Sequence, residues 1–334
     1  MRSSRSPYNP ASLEAIDRER AMHVFHGIPP AAKRRPCVLS IGNFDGVHRG
    51  HRALLQQAVD AAQQSSLIAA AMTFEPHPRE FLDPARAPSR VANLRDKVEG
   101  LRQAGIEHVY VEHFSRRFAA LSAEAFVRDV LVAGCAVRRM LVGDDFRFGA
   151  GRRGDLALLR RMGEDADFQV DQIGAVVDAG GRISSSRIRA ALQNGDLAGA
   201  SDLLGHPYAI SGRVVHGSRL GRQLGFPTLN VRLVHRRPAV HGIFAVRVEG
   251  IAQAPWPGVA SVGLRPTVDD SGRWLLEVHL FDYSGDLYGR LVKVRFVRRL
   301  RDEVRFESIA ELAEAIRADA RQARAVLDGA ATAE

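Results

Sequence analysis

The sequence predicts two unlike folds in succession: a doubly wound α/β fold over residues 22–204, then an antiparallel β-barrel with a closing helix over residues 205–330. Three observations predict this. Residues 36–204 alternate short apolar runs with helical patterns. From residue 208 to 300 apolar runs follow one another directly, separated by Gly, Pro and Asp. After residue 300 a helical period returns, with Phe306, Ile309, Leu312, Ala313, Ile316, Ala320 and Ala323 on one face.

In chain order, residues 1–21 lack the apolar centre of a signal peptide and read as a disordered extension, with Met22 a candidate alternative start. "CVLSIG", "SLIAAAMTF", "HVYVEHF", "RRMLVGDDF" and "DFQVDQIG" are compact apolar runs suited to buried parallel strands. Helical patterns lie between them. Residues 51–63 set Leu54, Leu55, Ala58, Val59 and Ala62 on one face, and residues 92–104 and 122–132 behave alike. "NGDLAGASDLLGHP" is the junction. "YAISGRVVHG", "GIFAVRVEG", "WPGVASVG", "WLLEVHLF" and "LVKVRFVRRL" are the barrel strands.

No apolar run reaches the roughly 18 residues of a membrane helix, and no membrane partner is expected. Cys37 and Cys135 lack a CxxC or CxxxH companion, so they are expected as buried reduced thiols in a cytoplasmic protein. The net charge is +9, from 47 basic and 38 acidic residues, and all but Lys33, Lys97 and Lys293 of the basic residues are arginine. They are scattered among acids, as in "RDEVRFE". The charge invites an RNA-binding reading, but no basic stripe or RNP-type aromatic cluster accompanies it. The arginines read either as compositional bias with solvated faces or, more sharply, as a surface suited to anionic, phosphate-bearing ligands.

The stretch "SIGNFDGVHRGHRALL" passes from strand to helix through Gly42, Asn43, Phe44, Asp45, Gly46, His48, Gly50 and His51. Ligands of open α/β sheets bind beyond the carboxyl ends of strands. A helix start there offers unpaired N–H groups and a positive dipole end to phosphate. The glycines permit close backbone approach, and His48 and His51 add imidazole N–H donors. Asp45 can hold the turn or approach a metal ion. Taken alone, the histidines also fit capping or surface roles, and no third ligand at suitable spacing supports zinc.

The whole string GxFDGxHxGH resembles the phosphate-binding signature of the nucleotidylyltransferase superfamily, related to class I aminoacyl-tRNA synthetases. "FEPHP" (Phe74–Pro78), "GDDFRFGAGRRGD" (Gly143–Asp155) and "ISSSRIR" (Ile183–Arg189) narrow the likeness. Together they resemble the bacterial bifunctional riboflavin kinase / FAD synthetase family, across almost all of residues 22–325. The resemblance implies a Rossmann-like nucleotidylyltransferase domain followed by a flavokinase barrel. It implies adenylyl transfer, in which an FMN phosphate oxygen attacks the α-phosphorus of ATP. His48 and His51 would then serve the triphosphate, with Gly42, Asn43, Phe44 and Asp45 around it and Asn43 near the reacting phosphate. Ser185, Ser186 and Arg189 would meet the departing phosphates, and Asp145, Phe146 and Arg147 would line the adenosine pocket. The family commonly has Thr where this chain has Ser186, which keeps the hydroxyl and loses the methyl.

In the second half, "GRVVHGSRLGRQLGFPTLN" sets glycines among basic residues, then fixes the chain at Pro227 and alternates Thr228 and Asn230 on one face. In "WLLEVHLF", Leu276, Val278 and Leu280 face one way, and Leu275, Glu277, His279 and Phe281 the other. Glu277 there is either a salt-bridged strand residue or a site acid. The family carries a PTxN segment and a later strand glutamate. By that resemblance, Thr228 and Asn230 hold Mg²⁺ and ATP phosphates, Glu277 takes the proton from the riboflavin 5′-hydroxyl, and Gly217 to Gly221 close over the nucleotide. "GVASVGLRPTV" matches the family except at Ser261. ATP, riboflavin, FMN and FAD are the implied substrates and products, with flavoenzymes as possible recipients. The rival within the family is adenylylation alone, with a non-catalytic flavin-binding barrel.

Overall fold

The computed structural model describes residues 22–217, 221, 225–233, 237–264 and 274–331. The extension over residues 1–21, the middle of the 217–221 loop and the "RPTV" of "GVASVGLRPTV" lie outside them. The chain packs into two compact units. The first holds the described residues up to Asn43, with His51–Pro84 and Val98–Ala175. The second holds Phe44–Gly50, Ala85–Lys97 and the described residues from Val176 onward.

The first unit is built on strands β1 (His23–His26), β2 (Cys37–Ile41), β3 (Ile68–Glu75), β4 (His108–His113), β5 (Val137–Gly143) and β6 (Gln169–Ile173). They form one parallel sheet in the order β1-β4-β3-β2-β5-β6. β2 is buried along its whole length, as its unbroken apolar run requires of a strand covered on both faces. Leu39, Met72, Tyr110, Leu131 and Met140 share the core. Helix Arg49–Gln64 buries Leu55, Ala58, Val59, Ala61 and Ala62, so Leu54 of the expected face is replaced by Ala61. The helix expected over 122–132 starts at its Ser122 cap, but Phe126–Val132 runs in the wider π register. β1 went unforeseen because four residues of mixed polarity at a sheet edge give no periodicity.

In the second unit, β7 (Val177–Asp178) and β8 (Gly181–Arg182) form a small hairpin. Strands β9 (Ala209–Val215), β10 (Thr228–Val231), β11 (Gly242–Glu249), β12 (Trp256–Leu264), β13 (Trp274–Leu280) and β14 (Leu291–Arg301) close a barrel in the order β10-β13-β12-β11-β14-β9. Every pairing in it is antiparallel. Alternate residues such as Val231, Phe244, Val262, Leu276, Val278 and Val294 fill its interior. The final helix begins at Ile309, after Phe306, and lays Ala323 and Leu327 on the outer residues Ile243, Ala245, Val259 and Phe281. The junction is itself a helix, Leu197–Leu204. Asp196 caps its start through Gly199 N–H at 2.8 Å, and Gly205 ends it with φ +78°. Its Leu197, Ala200, Leu203 and Leu204 join the core cluster of the barrel. Among the described residues, no helix is long and apolar enough to cross a membrane.

Candidate active sites

In the sheet, β3 and β4 lie on one side of β2, and β5 and β6 on the other, so the strand order reverses between β2 and β5. Ligand crevices of open α/β sheets open at such a point. β2 ends there with Gly42 N–H bonded to Met72 O, and the Asn43 carbonyl accepts the Thr73 hydroxyl at 3.2 Å.

The next residues turn sharply. Phe44, Gly46 and Val47 all have positive φ, at +46°, +93° and +40°. For Phe and Val this backbone is costly and persists only where the surroundings enforce it. They do so here. Phe44 is 0% exposed, so its ring is core and it can offer a ligand only its backbone. A Cβ on Gly46 would lie 2.7 Å from Val91 Cγ1, so only glycine fits. Asp45 is 1% exposed, and its carboxylate accepts Val91 N–H at 3.1 Å and Ala92 N–H at 2.9 Å. Its Oδ2 pairs with Arg189 Nη2 at 2.8 Å, and its carbonyl accepts the Ser185 hydroxyl at 2.9 Å. Burial opposes this charge, but the Arg189 guanidinium and the backbone donors hold the carboxyl below its usual range. Asp45 therefore holds the turn.

His48 is 5% exposed, and burial pulls its pKa down to about 4, with Arg182 and Arg189 adding to the effect and Asp45 opposing it. It is a neutral imidazole at neutral pH. Gly50 abuts the His48 ring, where a Cβ would come within 3.2 Å. His51 follows in the first turn of helix Arg49–Gln64.

"ISSSRIR" opens helix Ser185–Gln193, with Ser184 as its cap. Ser185 ties to the Asp45 carbonyl, and Ser186 is exposed. Arg189 is largely enclosed: besides Asp45, its Nε donates to Ser89 O at 2.7 Å. In the first unit, Asp145, Phe146 and Arg147 form the turn after β5, with Phe146 N–H bonded to Gly143 O and Arg147 3.4 Å from Asp155.

Sequence reasoning missed an aromatic ladder in the first unit. Phe81, Phe114, Phe74, Phe118, Phe126, Phe148 and Phe146 follow one another with ring centroids between 5.6 and 6.0 Å apart. Phe74 stands near the carboxyl end of β3, and Phe114 directly follows β4. "FEPHP" was the visible signal, but the rings are scattered over 74 residues of chain and only the fold aligns them. His77 in that motif caps helix Pro78–Leu82, accepting Arg79 N–H at 3.1 Å.

On the barrel, the register sets Asn230 opposite Glu277 and Thr228 opposite His279. Glu277 is in turn opposite Ser261 on β12. Directly opposed residues share a sheet face, and here it is the outer one, since Leu229, Val231, Leu276 and Val278 point inward. A Cβ on Gly217 would overlap the Asn230 amide, and one on Gly221 would lie 3.3 Å from Thr228 Oγ1. Gly217, Gly221, Thr228, Asn230 and Glu277 are thus one cluster. The hydroxyl and amide oxygens of Thr228 and Asn230 are hard donors of the kind Mg²⁺ takes. Sequence reasoning set His279 on the Glu277 face without giving it a role, and missed Glu303. His279 Nδ1 lies 2.9 Å from Pro227 O. Glu303 Oε1 accepts the Ser261 hydroxyl at 2.9 Å, and burial raises the Glu303 pKa. Among the described residues, no group of three or more His, Cys, Asp or Glu could hold a metal.

Two family models match the chain in tandem: FAD synthetase over residues 31–187 and riboflavin kinase over residues 204–327. The chain belongs to the bifunctional riboflavin kinase / FAD synthetase family. It is 48% identical over 293 residues to the bifunctional riboflavin kinase/FMN adenylyltransferase of Escherichia coli K12, covering 88% of this chain and 93% of the relative. The same-named protein of Pseudomonas fluorescens is 44% identical, covering 90% of this chain and 96% of the relative. That of Haemophilus influenzae is 42% identical, covering 86% and 94%. A crystal structure described as a macrolide-efflux protein from Streptococcus pneumoniae shares the fold with a TM-score of 0.69 and 31% identity, covering 89% of this chain and 97% of that one. Ser186 and Ser261 both lie inside the matched ranges.

Proposed function

We propose that this family member runs two ATP-dependent steps in sequence. The barrel phosphorylates riboflavin to FMN, and the α/β part transfers the adenylyl group of ATP to FMN, giving FAD and pyrophosphate. What carries this reading is that one chain holds two separate sets of phosphate-handling groups, each inside its own family match. The catalytic domains are read as residues 22–204 and 205–330.

In the kinase step, Glu277 accepts the proton of the riboflavin 5′-hydroxyl as that oxygen attacks the γ-phosphorus and ADP leaves. The register opposite Asn230 supports this role, because it sets the carboxylate beside the groups that would hold phosphate. Mg²⁺, when bound by Thr228 and Asn230, would neutralise phosphate charge. The loop Gly217 to Gly221 closes over the nucleotide in this reading, and Gly217 and Gly221 let its backbone lie against Asn230 and Thr228.

In the adenylyl step the protein positions groups and stabilises charge rather than forming bonds. The neutral His48 keeps one ring N–H to donate to a phosphate oxygen, and His51 and Asn43 supply further donors. Ser185 and Ser186 stand at the helix start for the leaving pyrophosphate. Arg189, committed to Asp45 and Ser89, acts on phosphate through the field it adds to the loop. Asp145, Phe146 and Arg147 are read as the adenosine wall, and the phenylalanine ladder as the apolar seat for the flavin ring. The partners are then ATP, riboflavin and FMN, with flavoenzymes receiving the products and no nucleic acid required. A cytoplasmic location fits the two buried free thiols, one of which, Cys37, has its pKa pushed up to about 12 by burial.

The test is chromatography of flavin products from riboflavin, ATP and Mg²⁺. Wild type should yield FMN and FAD. Glu277→Gln should lower FMN formation by about 10²–10⁴ while still converting supplied FMN to FAD. His48→Ala with His51→Ala should lower FAD formation by about 10² or more while FMN accumulates. FAD formed at the wild-type rate by the double variant would remove the phosphate-loop assignment.

A further inference from the structure

The segment Ser89–Asp96 lies in no motif, yet many of its polar groups have partners far away in the chain. The Ser89 carbonyl accepts Arg189 Nε. Arg90 N–H donates to Arg237 O at 2.9 Å, and its carbonyl accepts Ala239 N–H at 3.1 Å. The N–H groups of Val91 and Ala92 both go to the Asp45 carboxylate. Asn93 uses its amide in two directions. Oδ1 accepts Asp96 N–H at 2.9 Å, capping helix Leu94–Gln103, and Nδ2 donates to Ser211 O at 2.7 Å. Asp96 Oδ2 accepts Ser211 N–H at 3.0 Å. One segment thereby grips both backbone groups of a single barrel residue.

The grip has a physical reason. Ser211 lies on β9, which pairs with β14 on one side, where Ser211 is opposite Lys293. On the other side β10 meets β9 only at Val214 and Val215 among the described residues. At Ser211 that edge is uncovered by strand, and its N–H and carbonyl need partners. Asn93 and Asp96 supply them.

The donors that hold Asp45 sit one and two residues before Asn93. Where Asn93 and Asp96 fasten to β9 therefore fixes where Val91 and Ala92 meet the phosphate loop. That loop keeps Phe44 and Val47 in a strained backbone, which needs rigid surroundings. We infer, on the reading of Gly42–His51 as the phosphate loop, that Asn93 and Asp96 are positioning residues for adenylyl transfer. They set the loop from the wall of the kinase barrel. Neither touches substrate.

The experiment compares full-length variants in both half-reactions, with melting temperature measured alongside. Asn93→Asp keeps the helix cap and removes the donor to Ser211. Asp96→Leu removes the acceptor, Asp96→Asn keeps one, and His48→Ala serves as the reference for the loop itself. Asn93→Asp and Asp96→Leu should lower kcat for FMN adenylylation about 10-fold or more and leave riboflavin phosphorylation within about twofold, the effect of a displaced rather than a missing group. Asp96→Asn should restore adenylylation. If His48→Ala loses adenylylation while Asn93→Asp and Asp96→Leu match wild type, the positioning role is wrong and the loop reading stands. Parallel loss of both activities with a lowered melting temperature would mark a purely structural grip and also overturn it. Wild-type adenylylation by His48→Ala would overturn the loop reading and this role together. Should Asp96→Leu fail to fold, Asn93→Asp carries the comparison alone.

Discussion

At the scale of single residues, environment decides what a side chain can do. His48 and His51 are equivalent in the motif, but His48 is enclosed, and its pKa is pulled to about 4. An imidazole whose folded pKa lies below its unfolded value of about 6.5 is stabilising above that value, and the stability drains as pH falls from about 6.5 to 4. The same neutrality sets the pH dependence of the chemistry. FMN adenylylation should hold steady from pH 8 down to about 5.5, where the protein stays folded, since His48 does not titrate there. A kcat that declined with an apparent pKa near 6.5 and lost that step in His48→Ala would show that this residue titrates normally. Asp45 and Arg189 show the converse. Both were legible as charged motif residues, but their mutual pairing, which turns them from ligands into supports, joins positions 144 apart in the chain.

At the scale of elements, register carries the proposed kinase site. Thr228 and Asn230 alternate on one strand, and Glu277 and His279 on another; only the pairing of β10 with β13 makes them neighbours. A slip of one residue would turn Glu277 to the interior and Leu276 and Val278 outward. The glycines before β10 are placed by the same packing. Gly217→Ala should press a methyl into the Asn230 amide and lower kcat/KM for riboflavin phosphorylation by about 10-fold, with adenylylation of supplied FMN unchanged. Equal kinase activity in that variant would show that the loop has slack the geometry does not suggest.

At the scale of the whole molecule, the sequence divides at residue 204, but the second compact unit reaches back to Val176 and gathers Phe44–Gly50 and Ala85–Lys97. Helix Leu197–Leu204 shares the core cluster of the barrel, so a fragment 206–334 loses the burial of Leu197, Leu203 and Leu204, roughly 5 kcal/mol of apolar contact. It should melt about 10 °C or more below a fragment 176–334, by thermal unfolding followed in parallel. Equal melting would show the helix to be dispensable. The two fold classes, most of the strand positions along the chain and the GxFDGxHxGH and PTxN motifs were legible in composition, period and local spelling, because strand and helix patterns and turn residues act over a few neighbours. Tertiary structure alone decided which strands pair, that seven scattered phenylalanines form one ladder, that Arg189 closes on Asp45, and that an unmarked segment, Ser89–Asp96, grips both a phosphate loop and a barrel strand. Those are contacts between residues far apart in the chain, and their specificity comes from burial and from the demand that each enclosed polar group find a partner, which no local pattern encodes.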